Sequence, residues 1–163
     1  MRSIVIGGGD NSIQGQTEVN ERRTILHIDD DPAILRLVAQ QLEAEGYEVV
    51  SSSAPGDIES LLLASNARVC LLDISMPDAD GLELLKQIKQ YDGGVQVVML
   101  TGLVSINSVL DSHRNGAEAL CFKPILSFEP LFEMLRDAFR KDERWRQTLD
   151  ELRVRRVQMA IGV

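Results

Sequence analysis

From Thr24 onward the chain alternates short apolar runs with stretches whose apolar residues recur every three to four positions. The runs are "TILHID", "YEVVSS", "ARVCLLDI", "VQVVML" and "AEALCF". The longer stretches are "DPAILRLVAQQLEAEG", "APGDIESLLLASN", "DGLELLKQIKQYDGG", "SINSVLDSHRNG" and a long final segment from about Ser127. Runs of that length suit strands, and the longer period suits helices. Parallel strands need crossover connections, which are normally helical. Five alternations therefore predict a doubly wound α/β domain, a five-stranded parallel sheet with helices on both faces. The 163-residue length allows one such domain with extensions.

The first helix accounts for part of an odd feature at its start. "ILHIDDDPAILRLV" runs an apolar strand into Asp29, Asp30 and Asp31, and adjacent like charges cost stability unless something compensates them. Asp31 is placed to cap the helix, Pro32 suits its first turn, and Gly46 ends it; Ile34, Leu35, Val38 and Leu42 form its apolar stripe. Asp29 and Asp30 have no such local use. In open sheets of this kind ligands collect at the carboxyl ends of the strands. Those ends carry Asp29 and Asp30 on the first strand, Asp73 on the third, Thr101 then Gly102 on the fourth, and Lys123 then Pro124 on the fifth. Three carboxylates on one rim need a counter-charge, and hard oxygen ligands with room for water suit Mg²⁺. A carboxylate beside such an ion can act as a nucleophile toward phosphorus, with Lys123 and the Thr101 hydroxyl as partners for the phosphoryl oxygens.

The segments "ILHIDDDP", "LLDISMPDADGLELL", "VVMLTG" and "GAEALCFKP", in that order and spacing, resemble the receiver domain of bacterial two-component response regulators over about Thr24 to Lys141. The resemblance implies a flavodoxin-like sheet of strand order 2-1-3-4-5. It divides the chain into an N-terminal arm (1–23), a receiver (24–141) and a helical C-terminal extension or linker (142–163). It also implies that Asp73 is the phosphoacceptor for a phosphoryl group from a sensor histidine kinase or phosphotransfer protein. Asp30 would ligate Mg²⁺ directly and Asp29 largely through water, with Asp73 and the backbone carbonyl of Ser75 completing the metal site. Lys123 would pair with the phosphoryl group, and Thr101 would move toward it. The Lys123–Pro124 peptide would be cis, a form that proline alone makes cheap. Such a protein is a signalling switch rather than a metabolic enzyme, its chemistry confined to self-phosphotransfer and slow autodephosphorylation.

Two positions depart from the family pattern. Leu120 stands three residues before the lysine, where most receivers carry an aromatic that swings inward on phosphorylation. Leu103, two residues beyond Thr101, cannot position an attacking water, which predicts slow loss of the phosphoryl group. Three rival readings fare worse. A dinucleotide-binding loop at "IVIGGGDNS" lacks its third glycine, replaced by Ser12, and its following helix. An aspartate-nucleophile phosphatase of the haloacid-dehalogenase type wants a different sequence after its first aspartates than "DDDPA" and a cap domain. A pseudo-receiver that binds partners without phosphorylation is opposed by the intact rim.

Other features read blandly. Cys70 and Cys121 lie in apolar runs and are expected as free thiols, His27 as a packed or edge-facing histidine rather than a ligand, His113 as exposed, and Pro77 and Gly81 as turn-fixing residues. The net charge of −8 disfavours direct nucleic-acid binding. No apolar run is long enough to span a bilayer or serve as a signal-peptide core, so a cytoplasmic protein without membrane contact is expected. The polar, Gly-rich arm carries at most a short strand at Ser3–Ile6. The last helix is expected to run past the receiver, with Leu131, Leu135, Ala138, Asp142, Trp145, Leu149, Leu152, Arg156 and Met159 at coiled-coil spacing and polar breaks at Asp142 and Arg156. That stripe suits a homodimer through the C-terminal helix, a linker to an output domain absent from this chain, or packing back onto the receiver.

Overall fold

The computed structural model describes residues 23–102 and 105–161. The expected arm, its short strand and Leu103 lie outside the described residues. The elements in chain order are β1 (Thr24–Ile28), α1 (Pro32–Ala44), β2 (Glu48–Ser52), α2 (Ile58–Ser65), β3 (Val69–Leu72), β4 (Ser75–Met76), β5 (Ala79–Asp80), α3 (Gly81–Tyr91), β6 (Gln96–Thr101), α4 (Ile106–Arg114), β7 (Ala119–Phe122) and α5 (Glu129–Ala160). Strands β2-β1-β3-β6-β7 form one parallel sheet in that order, which is the expected 2-1-3-4-5 order counted over the five long strands. Strands β4 and β5 form a separate antiparallel hairpin inside "SMPDAD", which the alternation does not reveal because each strand is only two residues long.

Local chemistry sets the helix starts. The Asp31 carboxylate accepts from the Ala33 N–H at 2.8 Å, and Pro32 opens α1, where its missing N–H costs nothing. Asp57, Asp80 and Ser105 cap α2, α3 and α4 in the same way. Gly46, with φ +89°, turns the chain out of α1 in a conformation that side chains with a Cβ adopt at a cost.

The sheet buries an apolar layer on each face. Leu35, Val38 and Leu42 of α1 are buried; Val38 and Leu42 pack with Leu131, Leu135 and Ala138 of α5 over Ile25, Leu71, Val98 and Leu100. The opposite face carries Leu26, Ile28, Cys70, Leu72, Val97 and Met99 under α2 and α3. Both cysteines are buried and free.

Helix α5 runs back from the rim toward the amino ends of the strands. Its contact with the domain closes at Asp142, whose buried carboxylate accepts from Arg68 Nε at 3.1 Å just before β3. Arg68 also donates to Asp92 at 2.6 Å, and Lys141 pairs with Glu118. Every residue from 143 to 161 is exposed, a projection of about 27 Å for its helical part at 1.5 Å per residue. Trp145 is 61% exposed, and Leu149, Leu152 and Met159 lie open beside it. The stripe is thus divided: Leu131, Leu135 and Ala138 pack on the receiver, and the part beyond Asp142 does not. Asp142, read from the sequence as a break in that stripe, is the ion-paired end of the packed part.

Candidate functional site

The parallel sheet delivers the five rim positions to one edge. Asp29 follows β1 and is buried; its N–H donates to the Ser52 carbonyl at 3.2 Å, and its Oδ1 accepts from the Asp31 N–H at 3.0 Å. Asp73 follows β3 and is buried as well, its N–H bonded to the Ile28 carbonyl at 3.0 Å and its Oδ1 accepting from the Ser75 N–H at 3.3 Å. Asp30 is exposed beside them. One carboxylate oxygen from each of Asp29, Asp30 and Asp73 lies within 4.8 Å of the others.

Lys123 enters from the end of β7, where its N–H donates to the Thr101 carbonyl at 2.8 Å and the Lys123–Pro124 peptide is cis. Its ammonium lies 2.6 Å from Asp29 Oδ2 and 3.1 Å from Asp73 Oδ2, with only 16% of the side chain exposed. Burial alone would lower the Lys123 pKa, but the hydrogen bonds and charges of Asp29 and Asp73 outweigh it and raise the value. Burial raises the Asp73 pKa; Lys123 and the Ser75 N–H oppose that shift without cancelling it.

Three carboxylates facing one ammonium leave two negative charges at the rim. That set of hard oxygens fits a divalent cation such as Mg²⁺, which keeps several waters and takes one or two carboxylates directly. Thr101 ends β6, fully buried, in register with Phe122 of β7. The site residues expected from the sequence, Asp29, Asp30, Asp73, Thr101 and Lys123, therefore lie on one rim. Ser75 stands next to it at the start of the β4–β5 hairpin, where its N–H is committed to Asp73.

Three further residues shape the site in ways that the linear pattern does not show. Gly81 is the first residue of α3 rather than a turn. A Cβ there would fall inside contact distance of the Asp73 carbonyl oxygen and 2.6 Å from the Ile74 Cα, so only glycine lets the helix approach the strand that carries Asp73. Phe122 is the aromatic beside Thr101, 46% exposed, on the same face as the half-buried Leu120. His27 is packed, as expected, but neither ring nitrogen has a hydrogen-bond partner among the described residues. Burial, followed by the Lys123 charge, lowers its pKa to about 4. The pairing register and the neighbours' side chains carry these facts, and neither is visible in the linear pattern.

A five-stranded parallel sheet with an acid triad, a lysine and a threonine at its carboxyl rim is the arrangement that the resemblance to receiver domains implies. Residues 25–136 match the family of the response regulator receiver domain, and the chain belongs to that family. It is 28% identical over 130 residues to the transcriptional regulatory protein GlrR of Escherichia coli K12, an alignment covering 77% of this chain and 29% of GlrR. The chain thus spans under a third of that relative's length. Among solved structures it is similar to a CheY-like receiver domain protein from Methanospirillum hungatei (TM-score 0.70, 32% identity, 76% of this chain and 98% of that one). It is also similar to the beryllofluoride-activated NtrC4 receiver domain dimer (TM-score 0.67, 28% identity, 74% and 98%). Among the described residues no helix is long and apolar enough to cross a membrane.

Proposed function

We propose that Asp73 is the phosphoacceptor of this receiver and that Lys123 and Thr101 serve the transferred group. The observation that carries the reading is the Lys123 ammonium held between Asp29 and Asp73 on a rim of three converging carboxylates. Asp29, Asp30, Asp73 and the Ser75 backbone carbonyl would hold Mg²⁺. Bound there, the ion supplies charge neutralisation for the phosphoryl oxygens.

An Asp73 carboxylate oxygen attacks phosphorus in line with the donor nitrogen. The P–O bond forms as the P–N bond to a phosphohistidine breaks, and the freed imidazole nitrogen recovers a proton from solvent. Lys123 then exchanges its carboxylate contacts for a phosphoryl oxygen, and the Thr101 hydroxyl hydrogen-bonds another. The donor is a sensor histidine kinase or phosphotransfer protein in the cytoplasm. No catalysis on other substrates is assigned, and with Leu103 beyond Thr101 the phosphoryl group is lost slowly.

The output is a change in self-association through α5. The open stripe of Trp145, Leu149, Leu152 and Met159 supports this, as does the dimer formed by the NtrC4 receiver, a structural relative. The greater length of GlrR favours a second reading, in which the same helix leads into an output domain.

Intact mass after incubation with acetyl phosphate and Mg²⁺ tests the first claim, and sedimentation of both forms tests the second. One phosphoryl adduct on the parent chain and none on Asp73→Ala is the expected result. An adduct of equal yield on Asp73→Ala, or none on the parent, overturns the assignment. Unchanged sedimentation after full phosphorylation removes the dimer output and favours the second reading.

A further inference from the structure

His27 lies on β1 two residues before Asp29, which follows the strand and continues its pairing through the Ser52 carbonyl, so the two side chains share a face. It is fully buried, and both ring nitrogens lack a hydrogen-bond partner among the described residues. An imidazole N–H buried without an acceptor is costly, and so complete an orphan in a packed sheet calls for a partner in some state of the molecule. Asp29 Oδ2 is that partner by position. It lies 4.0 Å from His27 Nε2, beyond hydrogen-bond reach, and the Lys123 ammonium occupies it at 2.6 Å.

We infer that His27 is a positioning residue for Asp29: when Lys123 leaves Asp29 for the phosphoryl group, the His27 Nε2–H donates to the vacated Oδ2 and keeps the carboxylate facing the metal. The inference rests on the phosphoacceptor reading above, because phosphoryl occupancy is what draws Lys123 away. The other oxygen, Oδ1, already accepts from the Asp31 N–H at 3.0 Å. With the imidazole in place the carboxylate is fixed from both sides, by backbone on one and ring on the other. Without it, the release of Lys123 strips a fully buried oxygen of the one cationic side chain that pairs with it among the described residues. The exchange is a move of about 1 Å, the difference between the present separation and an ordinary N–H···O distance. Outer partners of this kind commonly set metal affinity by about ten- to a hundred-fold.

The test uses the full chain with beryllofluoride as phosphoryl mimic. Apparent Mg²⁺ affinity is measured by calorimetry for the parent, His27→Leu and His27→Gln, and histidine-selective ¹⁵N spectra of the parent are recorded with and without Mg²⁺ and beryllofluoride. Mg²⁺ should bind about tenfold more weakly to His27→Leu. Glutamine, which keeps an N–H donor at similar reach, should restore most of that loss. The His27 Nε2–H signal should move downfield only in the loaded parent. Either an unchanged His27 signal on loading or equal affinity in the leucine variant overturns the inference, and the spectra alone decide if that variant fails to fold. A parent that takes Mg²⁺ and beryllofluoride while His27 stays silent refutes this inference only. A parent that takes neither refutes the phosphoacceptor reading with it.

Discussion

Replacing Lys123 with methionine keeps the aliphatic stem and deletes the charge lying 2.6 Å from Asp29 and 3.1 Å from Asp73. At an effective dielectric near 20, each pair at about 3 Å is worth about 5 kcal/mol of gross attraction. The full loss is not realised, because a lone buried carboxylate takes up a proton instead. Raising a carboxyl pKa from about 4 to 7 costs about 4 kcal/mol, which caps the penalty for that group at neutral pH. Deleting one partner of a buried pair costs about 3–5 kcal/mol. Lys123 keeps 16% of its side chain exposed, so water screens part of the interaction and the low end applies. The expected loss in EDTA is about 3 kcal/mol, or about a 10 °C fall in Tm for a domain of this size. The same deletion favours a divalent cation, since no ammonium then competes with it for Asp29 and Asp73, and the proton that replaces the lysine is more easily displaced than a fixed charge. Mg²⁺ should bind at least about tenfold more tightly, a gain of about 1.4 kcal/mol. Saturating Mg²⁺ should therefore restore more of the lost Tm in the variant than it adds to the parent. Scanning calorimetry in EDTA and over a Mg²⁺ series reads both effects. An equal Tm deficit in EDTA and in saturating Mg²⁺, or weaker Mg²⁺ binding by the variant, would refute the electrostatic account of the rim.

Gly81→Ala should cost at least about 3 kcal/mol in urea unfolding, the upper range for overpacking, because the obstructing atoms are backbone of Asp73 and Ile74 and cannot step aside. Arg68→Gln should lower stability by about 2 kcal/mol, chiefly by leaving the buried Asp142 carboxylate without its charged partner. It should also change the acid limb of stability. Burial pushes the Asp92 carboxyl up, but the Arg68 and Gly94 hydrogen bonds outweigh it and hold the folded value below the ordinary one. The stability Asp92 contributes is then full above its unfolded pKa near 4 and lost as pH falls through the lower folded value, and in the glutamine variant that window should narrow. The double variant Leu149→Lys, Leu152→Lys should abolish the proposed self-association in sedimentation and leave Tm at low concentration within about 1 °C, since both side chains lie outside the packed domain.

The fold was legible because an apolar run and a helical period are local signals, and parallel connectivity then leaves few arrangements. The rim was legible for a related reason: topology alone sends every strand's carboxyl end to one edge, so Asp29, Asp73, Thr101 and Lys123 could be placed together before any side chain was packed. What the sequence hid depends on partners distant in the chain. Asp142 reads as a polar interruption until Arg68, 74 residues earlier, is found against it. Gly81 reads as a turn residue until the Asp73 carbonyl is found where its Cβ would be. Phe122 reads as one more apolar strand residue until the register sets it beside Thr101. These hidden contacts also relate the two ends of the molecule. Leu131, Leu135 and Ala138 seat α5 on the face that carries Leu71 and Val98, and Asp142 locks the helix to the amino end of β3, the strand whose other end leads to Asp73. The exposed stripe of Trp145, Leu149 and Leu152 is an unbroken continuation of that same helix. On the proposed function, a change at the rim that tilts α5 against β3 would be carried outward as a swing of the stripe, and Arg68→Gln, which releases the lock, should weaken the proposed coupling between phosphorylation and self-association while leaving the phosphoryl adduct intact.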